Sequence, residues 1–461
     1  MGNVTQSGVT SPSPGVLLSG IEESVSNHSK LAILASGGPA PGINAVIGSA
    51  TIRAVLSGVE VIGVQDGFRW LMEGDTSHVI PLTVGDTTRI HFRGGSHIGI
   101  SRSNPTRTEA GIANVLKSLQ QLGIGQLITI GGDGTAYSAW RIAEAARGAL
   151  RIVHVPKTID NDLDLPHDIP TFGFQTARHI GVELVENLKV DARTTSRWYF
   201  VLAQGRKAGH LALGIGKASG ATITLIPEEF PRGATPLRTI VDTLAGSILR
   251  RLAYGRSDGV AVLAEGLVDS IAPRDLEQLG ELPRDPYGNI HMADVDLAAI
   301  LRKAVAKRLA EFGVAVTIMT KSIGYELRCA DPIPFDLEYC RDLGYCAARY
   351  IIEGGSHVMV SMQDGNFVPI PFSKVIDERT GFSRVRMIDL ESDRYKIART
   401  YMIRLREGDF DDPIGLARLA ETIGRTPDQF IREFGHLAER EPATMRLSVA
   451  PPKGSLATPK T

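Results

Sequence analysis

The sequence predicts an α/β fold made of two Rossmann-like domains with mostly parallel sheets. Three observations predict it. Short apolar runs alternate with segments of helical periodicity, and glycine-rich turns stand between a run and the helix that follows. The runs are also too many for one compact sheet. At about 150 residues per domain, the 461-residue chain suggests roughly three domains, or two large ones with insertions.

The elements follow in order. Leu31–Ser36 is an apolar run ending in GGPAPG, a helical pattern follows, and Val59–Val64 reads as the next buried strand. Strand, glycine loop, helix, strand is a βαβ unit, which makes the two strands parallel. Gln126–Ile130, GGDGT, a helix over 136–147 and Arg151–Val155 repeat it. Trp198–Leu202, GRKAG, a helix to Lys217 and Ala221–Ile226 repeat it again. Later strands are expected at Gly259–Gly266, Val314–Thr320 and His357–Met362, separated by helices over 236–254, 297–312 and 335–352. The charged, proline-containing stretch Val268–Val295 is expected to be a surface insertion, and Lys396–Glu439 a helical segment packed across the second domain. Residues 1–29 and 448–461 are polar and read as flexible ends.

Composition excludes several function classes. Fifty Lys and Arg against 51 Asp and Glu leave a net charge of −1, so no basic field gathers nucleic acid or an anionic membrane. No run of 18 apolar residues occurs. The first 29 residues lack the basic and apolar regions of a secretory signal, so a cytoplasmic protein is expected. Three cysteines without paired spacing form neither a disulfide framework nor a zinc site. Glycine is the outlier, 49 residues, and asks where the backbone approaches a ligand.

Ligands of α/β sheets sit beyond the carboxyl ends of the strands, so the loops there carry the chemistry. Gly37-Gly38-Pro39-Ala40-Pro41-Gly42 opens a helix whose N-terminus favours an anion, although a plain tight turn explains it equally. It is not a Walker A loop, since no Gly-Lys-Ser/Thr follows. Gly131-Gly132-Asp133-Gly134-Thr135 is sharper: glycines for phosphate contact, Asp133 for Mg²⁺ or for a helix cap, Thr135 as a donor. Pro156-Lys157-Thr158-Ile159-Asp160-Asn161-Asp162 sets two carboxylates beside a lysine at the same sheet edge. A carboxylate that accepts a hydroxyl proton while Mg²⁺ neutralises phosphate is what phosphoryl transfer to an alcohol needs.

The ordered set GGPAPG, GGDGT, PKTIDND, AQGRKAGHLAL, IPEE and YELR, from Leu31 to Arg328, resembles the phosphofructokinases. The resemblance implies that fold and Mg²⁺-dependent transfer to fructose 6-phosphate. It implies a donor domain over 30–171 and 327–378, and a sugar-phosphate domain over 172–326 and 379–447. Asp160 would be the general base, flanked by Thr158 and Asp162. Asp133 would hold the metal, and Gly37, Gly132, Gly134 and Thr135 the donor. Arg102, followed by Ser103 in SRSNP, resembles the arginine bridging both phosphates. On the sugar side it implies Gln204, Gly205 and Arg206, where Met-Gly-Arg is usual, together with Glu228, Tyr325, Arg328 and Lys321. Arg197 would be lent to a neighbouring subunit's site, in a homodimer or homotetramer with shared active sites.

Two positions bear on the donor, ATP or pyrophosphate. An Asp in place of Gly134 would obstruct the ATP α-phosphate, whereas Lys157 is typical of pyrophosphate users without blocking ATP. The veto outweighs the attraction, so the expectation is an ATP-dependent 6-phosphofructokinase of glycolysis. The alternatives are the reversible pyrophosphate-dependent enzyme and, remotely, a non-catalytic regulatory subunit.

Overall fold

A computed structural model describes residues 30–166, 169–277, 295–377 and 382–440. The expectations for 1–29, for 278–294 of the insertion and for 441–461 lie outside the described residues.

Strands β1 (Lys30–Ala35), β2 (Val61–Val64), β3 (Val79–Pro81), β4 (Ile124–Gly131) and β5 (Arg151–Pro156) come first. Strands β6 (Trp198–Ala203), β7 (Ile223–Leu225), β8 (Gly259–Ala264) and β9 (Ile318–Ile323) follow. The chain then returns through β10 (Val358–Met359), a hairpin of β11 (Met362–Gln363) and β12 (Asn366–Phe367), and β13 (Ile370–Pro371). The larger sheet runs β13-β10-β5-β4-β1-β2-β3 and the smaller β7-β8-β6-β9. Only the edge strands β3 and β13 are antiparallel in the larger sheet, and the smaller is parallel throughout. Parallel strands are covered on both faces, which is why these segments read as near-continuous apolar runs.

Register places the loops. Ala35 lies beside Ile130, and Gly131 beside Pro156, so the turns after β1, β4 and β5 leave the larger sheet at one edge. Ala203 lies between Ala264 and Ile323, so the turns after β6, β8 and β9 share an edge of the smaller sheet. Ile33 and Val153 face a core that also takes Val201 and Val260 of the smaller sheet, with the helices Phe174–Thr195 and His210–Ser219 contributing Val185 and Leu211. A contiguous apolar layer thus joins the two sheets on that side.

Several elements depart from expectation. The strand expected at Val314 begins at Ile318, because the Val314 N–H bonds back to the Leu309 carbonyl and closes the end of the helix Leu297–Ala310. The 22-residue helix Phe174–Thr195 was not anticipated; its buried residues are sparse, so its apolar signal is weak. The start of the expected surface insertion is core instead: Val268, Ile271 and Leu276 are buried against the smaller sheet. The C-terminal helices do pack there, through Leu416, Leu419, Phe430 and Phe434.

Candidate active site

The three turns of the larger sheet surround a cavity of about 290 Å³. Gly37 takes φ +92°, a left-handed conformation suited to glycine, and its N–H donates to the Ser101 carbonyl at 2.8 Å. Ser36 Oγ donates to the same carbonyl at 3.0 Å, which ties the SRSNP segment to β1 and brings Arg102 and Ser103 into the lining. Asp133 is the first residue of the helix Asp133–Ala146, yet its side chain makes no cap bond to the second or third turn position. Its Oδ1 accepts from the Gly134 N–H at 2.7 Å instead. A Cβ on Gly131 would stand 2.3 Å from the Thr135 Cβ, so only glycine lets this turn close on the buried threonine. A Cβ on Gly134 would meet nothing within 4 Å.

The charges here are close and buried. Lys157 is 4% exposed, and its Nζ donates to the Gly38 carbonyl across the cavity. Burial pushes its pKa down to about 8; Arg102 and Arg328 push the same way, while Asp160 and Asp162 oppose them. Burial raises Asp160 to about 7, with the charges of Asp162, Glu265 and Asp133 adding and Lys157 opposing. Asp160 Oδ1 has no hydrogen-bond partner among the described residues. Its backbone N–H donates to Thr158 Oγ1 at 3.1 Å. Asp162 is raised by burial and by Asp133, and lowered by Lys207. A base poised near neutrality on a residue that lines a cavity is suited to taking a hydroxyl proton.

Other expected residues are placed differently. Gln204 and Arg328 line the cavity. Gly205, at φ +130°, accepts from the Gly266 N–H and ties β6's turn to that after β8. Arg328 stacks 4.4 Å from the exposed ring of Tyr325. Lys321 is paired with Glu326 at 2.7 Å, and Arg206 stands 3.9 Å from Asp269. Arg197 precedes β6, at the opposite end of that strand from the cavity, so this chain does not bring it to its own site. Glu228, expected on the sugar side, accepts the Gly209 and Ile388 N–H groups at 3.0 and 3.1 Å, which fixes its carboxylate in place, and it is not among the residues lining this cavity. The smaller-sheet carboxylate whose charge bears on Asp160 is Glu265, directly after β8.

Two further residues escape sequence reasoning. Arg386 bonds the Asn161 and Ile169 carbonyls, at 3.1 and 2.9 Å, and the Asn161 side chain, while its N–H bonds the Asp162 carbonyl at 2.9 Å. It pins the TIDND turn, where Asn161 adopts φ +57°, from 225 residues away. Lys207 pairs with Asp133 Oδ2. Arg386 had no local signal; Lys207 was legible only as a lysine inside the GRKAG turn.

The donor set fits Mg²⁺. Asp133 would hold it as a hard carboxylate ligand, and its charge adds to the burial that raises Asp160; among the described residues no three acidic, His or Cys side chains gather to cage a metal without help from phosphate and water. Mg²⁺ takes one or two carboxylates and completes its shell with phosphate and water.

Such a site between two parallel sheets defines an α/β protein built to hold anions beside a buried base. A family model described as phosphofructokinase matches residues 30–351, and the chain belongs to the phosphofructokinase family. The pyrophosphate--fructose 6-phosphate 1-phosphotransferase of Thermotoga maritima is 48% identical over 418 residues, covering 89% of this chain and 99% of that protein. The ATP-dependent 6-phosphofructokinase 1 of Thermus thermophilus is 31% identical over 355 residues, covering 77% and 96%. The solved structure of a pyrophosphate-dependent phosphofructokinase from Nitrosospira multiformis superposes with a TM-score of 0.62 at 15% identity, covering 86% of this chain and 92% of that one, which shows the shared fold. Of these two relatives, the one at higher identity is named for pyrophosphate, which favours the pyrophosphate alternative over the expectation of ATP. Among the described residues, no helix is long and apolar enough to cross a membrane.

Proposed function

We propose that the chain is a pyrophosphate-dependent fructose 6-phosphate 1-phosphotransferase of glycolysis, acting in the cytoplasm. It would transfer one phosphoryl group from pyrophosphate to the sugar 1-hydroxyl, releasing phosphate and fructose 1,6-bisphosphate, and run in both directions. The observation that carries the choice of donor is the cavity lining. Its apolar members are Pro39 and Ile159, and no aromatic ring is among them. Sites for drug-sized ligands are mostly apolar and run from roughly 300 to 1,000 Å³. This one is polar, about 290 Å³, and faced by Arg102, Lys157 and Arg328. Those cations match a compact tetra-anion without offering a surface to an adenine. The open space beside Gly134 shows only that nothing obstructs a larger donor; it supplies no contact to one.

In this reading Asp160 takes the 1-hydroxyl proton, and Thr158 and Asp162 hold its surroundings. Arg102 and Lys157 face the phosphate charge that develops in the transition state. Mg²⁺, held by Asp133 and the aspartates near it, would neutralise the donor. The turns of the larger sheet hold the donor and those of the smaller sheet the sugar phosphate. Arg197 would serve a neighbouring subunit in a homodimer or homotetramer. The test is to incubate the protein with fructose 6-phosphate and Mg²⁺ and supply pyrophosphate or ATP separately. Product with pyrophosphate supports the proposal; product with ATP alone overturns it; product with neither favours a non-catalytic subunit.

A further inference from the structure

Lys207 and Asp133 belong to different sheets. Lys207 follows Gly205 and Arg206 in the turn after β6, and Asp133 opens the helix after β4. Their ion pair therefore spans the two sets of turns at the rim of the cavity that Asp133 lines. Both oxygens of Asp133 are engaged, Oδ1 by the Gly134 N–H at 2.7 Å and Oδ2 by the Lys207 ammonium. A cation arriving at Oδ2 meets the ammonium already there and is opposed by its charge.

The pair is built to be broken. Its side chains are 43% and 32% exposed, and ion pairs in that setting are weak. Lysine is a compact charge on a flexible stem, able to swing from one anion to another without losing charge. Gly132, Gly134 and Thr135, beside Asp133 in the chain, line the same cavity as Asp133 does.

We infer that Lys207 is an exchange residue, which occupies Asp133 in the empty site and passes to the donor phosphates when a divalent cation takes that carboxylate. Metal entry thus frees a donor ligand, and donor entry removes the competitor of the metal. The carboxylate–ammonium contact is replaced by a carboxylate–metal and an ammonium–phosphate contact, so neither protein charge is left unpaired. Lys207 also lies close enough to Asp162 to hold its carboxyl down, so its departure loosens two acids together. The inference rests on the phosphoryl-transfer reading but not on the identity of the donor, because any donor brings a diphosphate group to this wall.

The experiment compares wild type, Lys207→Gln and Lys207→Arg in two measurements. The first is calorimetric titration with Mn²⁺ alone, without donor or sugar. Removing the competing ammonium should tighten Mn²⁺ binding by about threefold or more in Lys207→Gln, whereas Lys207→Arg should bind like wild type. The second is the KM of whichever donor the wild type turns over. It should rise by roughly tenfold or more in Lys207→Gln, the usual scale for a lost charge-assisted contact, and be largely restored in Lys207→Arg. Opposite directions for metal and donor are the signature, since a variant that merely loosened the site would weaken both. Unchanged or weaker Mn²⁺ binding, or an unchanged donor KM, in a Lys207→Gln protein that melts like wild type overturns the inference. Should Lys207→Gln not fold, Lys207→Arg decides: Mn²⁺ binding several-fold from wild type overturns it, and binding equal to wild type sustains it. If the wild type uses ATP alone, the pyrophosphate reading falls and the Lys207 measurements proceed with ATP.

Discussion

The two sheet edges differ in readiness. At the larger sheet, the turns after β1, β4 and β5 surround a cavity within one chain, with Lys157 buried and Asp160 half-buried in its wall. At the smaller sheet the expected phosphate-binding cations are scattered: Lys321 is paired with Glu326, Arg206 stands by Asp269, and Arg197 lies at the far end of β6. Burying charge is costly, so the chain pays for it only where the same charges face one another. In the proposed function, the larger sheet's edge is a preorganised donor site, whereas the smaller sheet's edge would be completed by its ligand and a second subunit.

The strongest way to break this contrast is at Asp160. Asp160→Asn should lower kcat by about 10²–10⁴-fold, the range for a lost general base, while equilibrium binding of fructose 6-phosphate is kept. The same change should stabilise the fold. The carboxyl is raised from 3.8 to about 7, so the folded state holds the proton more tightly than the unfolded chain. Stability therefore falls as pH rises from about 4 to 7, and above 7 the buried charge is a full burden. At pH 8 the Asn variant should melt a few degrees higher than wild type, read by thermal unfolding. An equal or lower midpoint would contradict the buried-charge description.

Next in size is Arg197→Ala. It should raise the KM for fructose 6-phosphate by roughly 10–100-fold and leave the donor KM near wild type. Mixing it with Asp160→Asn under conditions that exchange subunits should recover activity, because some sites would then combine an intact Asp160 with a neighbour's Arg197. No recovery would place Arg197 outside the site altogether.

The pH profile sharpens the donor edge alone. The rate constant kcat/KM should rise through about pH 7 as Asp160 loses its proton, and fall above about 8 as Lys157 loses its charge. Lys157→Arg should abolish the alkaline limb, since a guanidinium does not titrate there, while leaving the acid limb in place. The smallest effect is expected from Gly134→Asp. A Cβ there meets no atom within 4 Å, so the fold should accept the change, and the pyrophosphate KM should rise by less than about fivefold. A larger loss would show that the added carboxylate meets the donor phosphates directly.

Much of this was legible in the chain itself. The βαβ order and the glycine turns are local signals, and three turns on neighbouring parallel strands were expected to share an edge before any coordinates. Thr135, Lys157 and Asp160 follow from that directly. Glu228 shows the limit. Its IPEE context marks a carboxylate but not its partners, and the Gly209 and Ile388 amides that claim it lie 19 and 160 residues away. The ATP expectation is less well supported than its pyrophosphate alternative, and for a related reason. It weighed one missing side chain, at Gly134, whereas the character of the whole lining, without an aromatic ring, exists only once the turns are assembled.

What the sequence determined alone is the sheet order's raw material: apolar runs buried on both faces, and glycines where φ turns positive or the chain closes on Thr135. These are properties of a residue and its immediate neighbours. Tertiary structure alone decided who holds whom. Arg386 pins TIDND, Glu265 presses on Asp160, and Lys207 reaches across to Asp133. Charges act through space, not along the chain, so their partners are settled only when the two sheets meet.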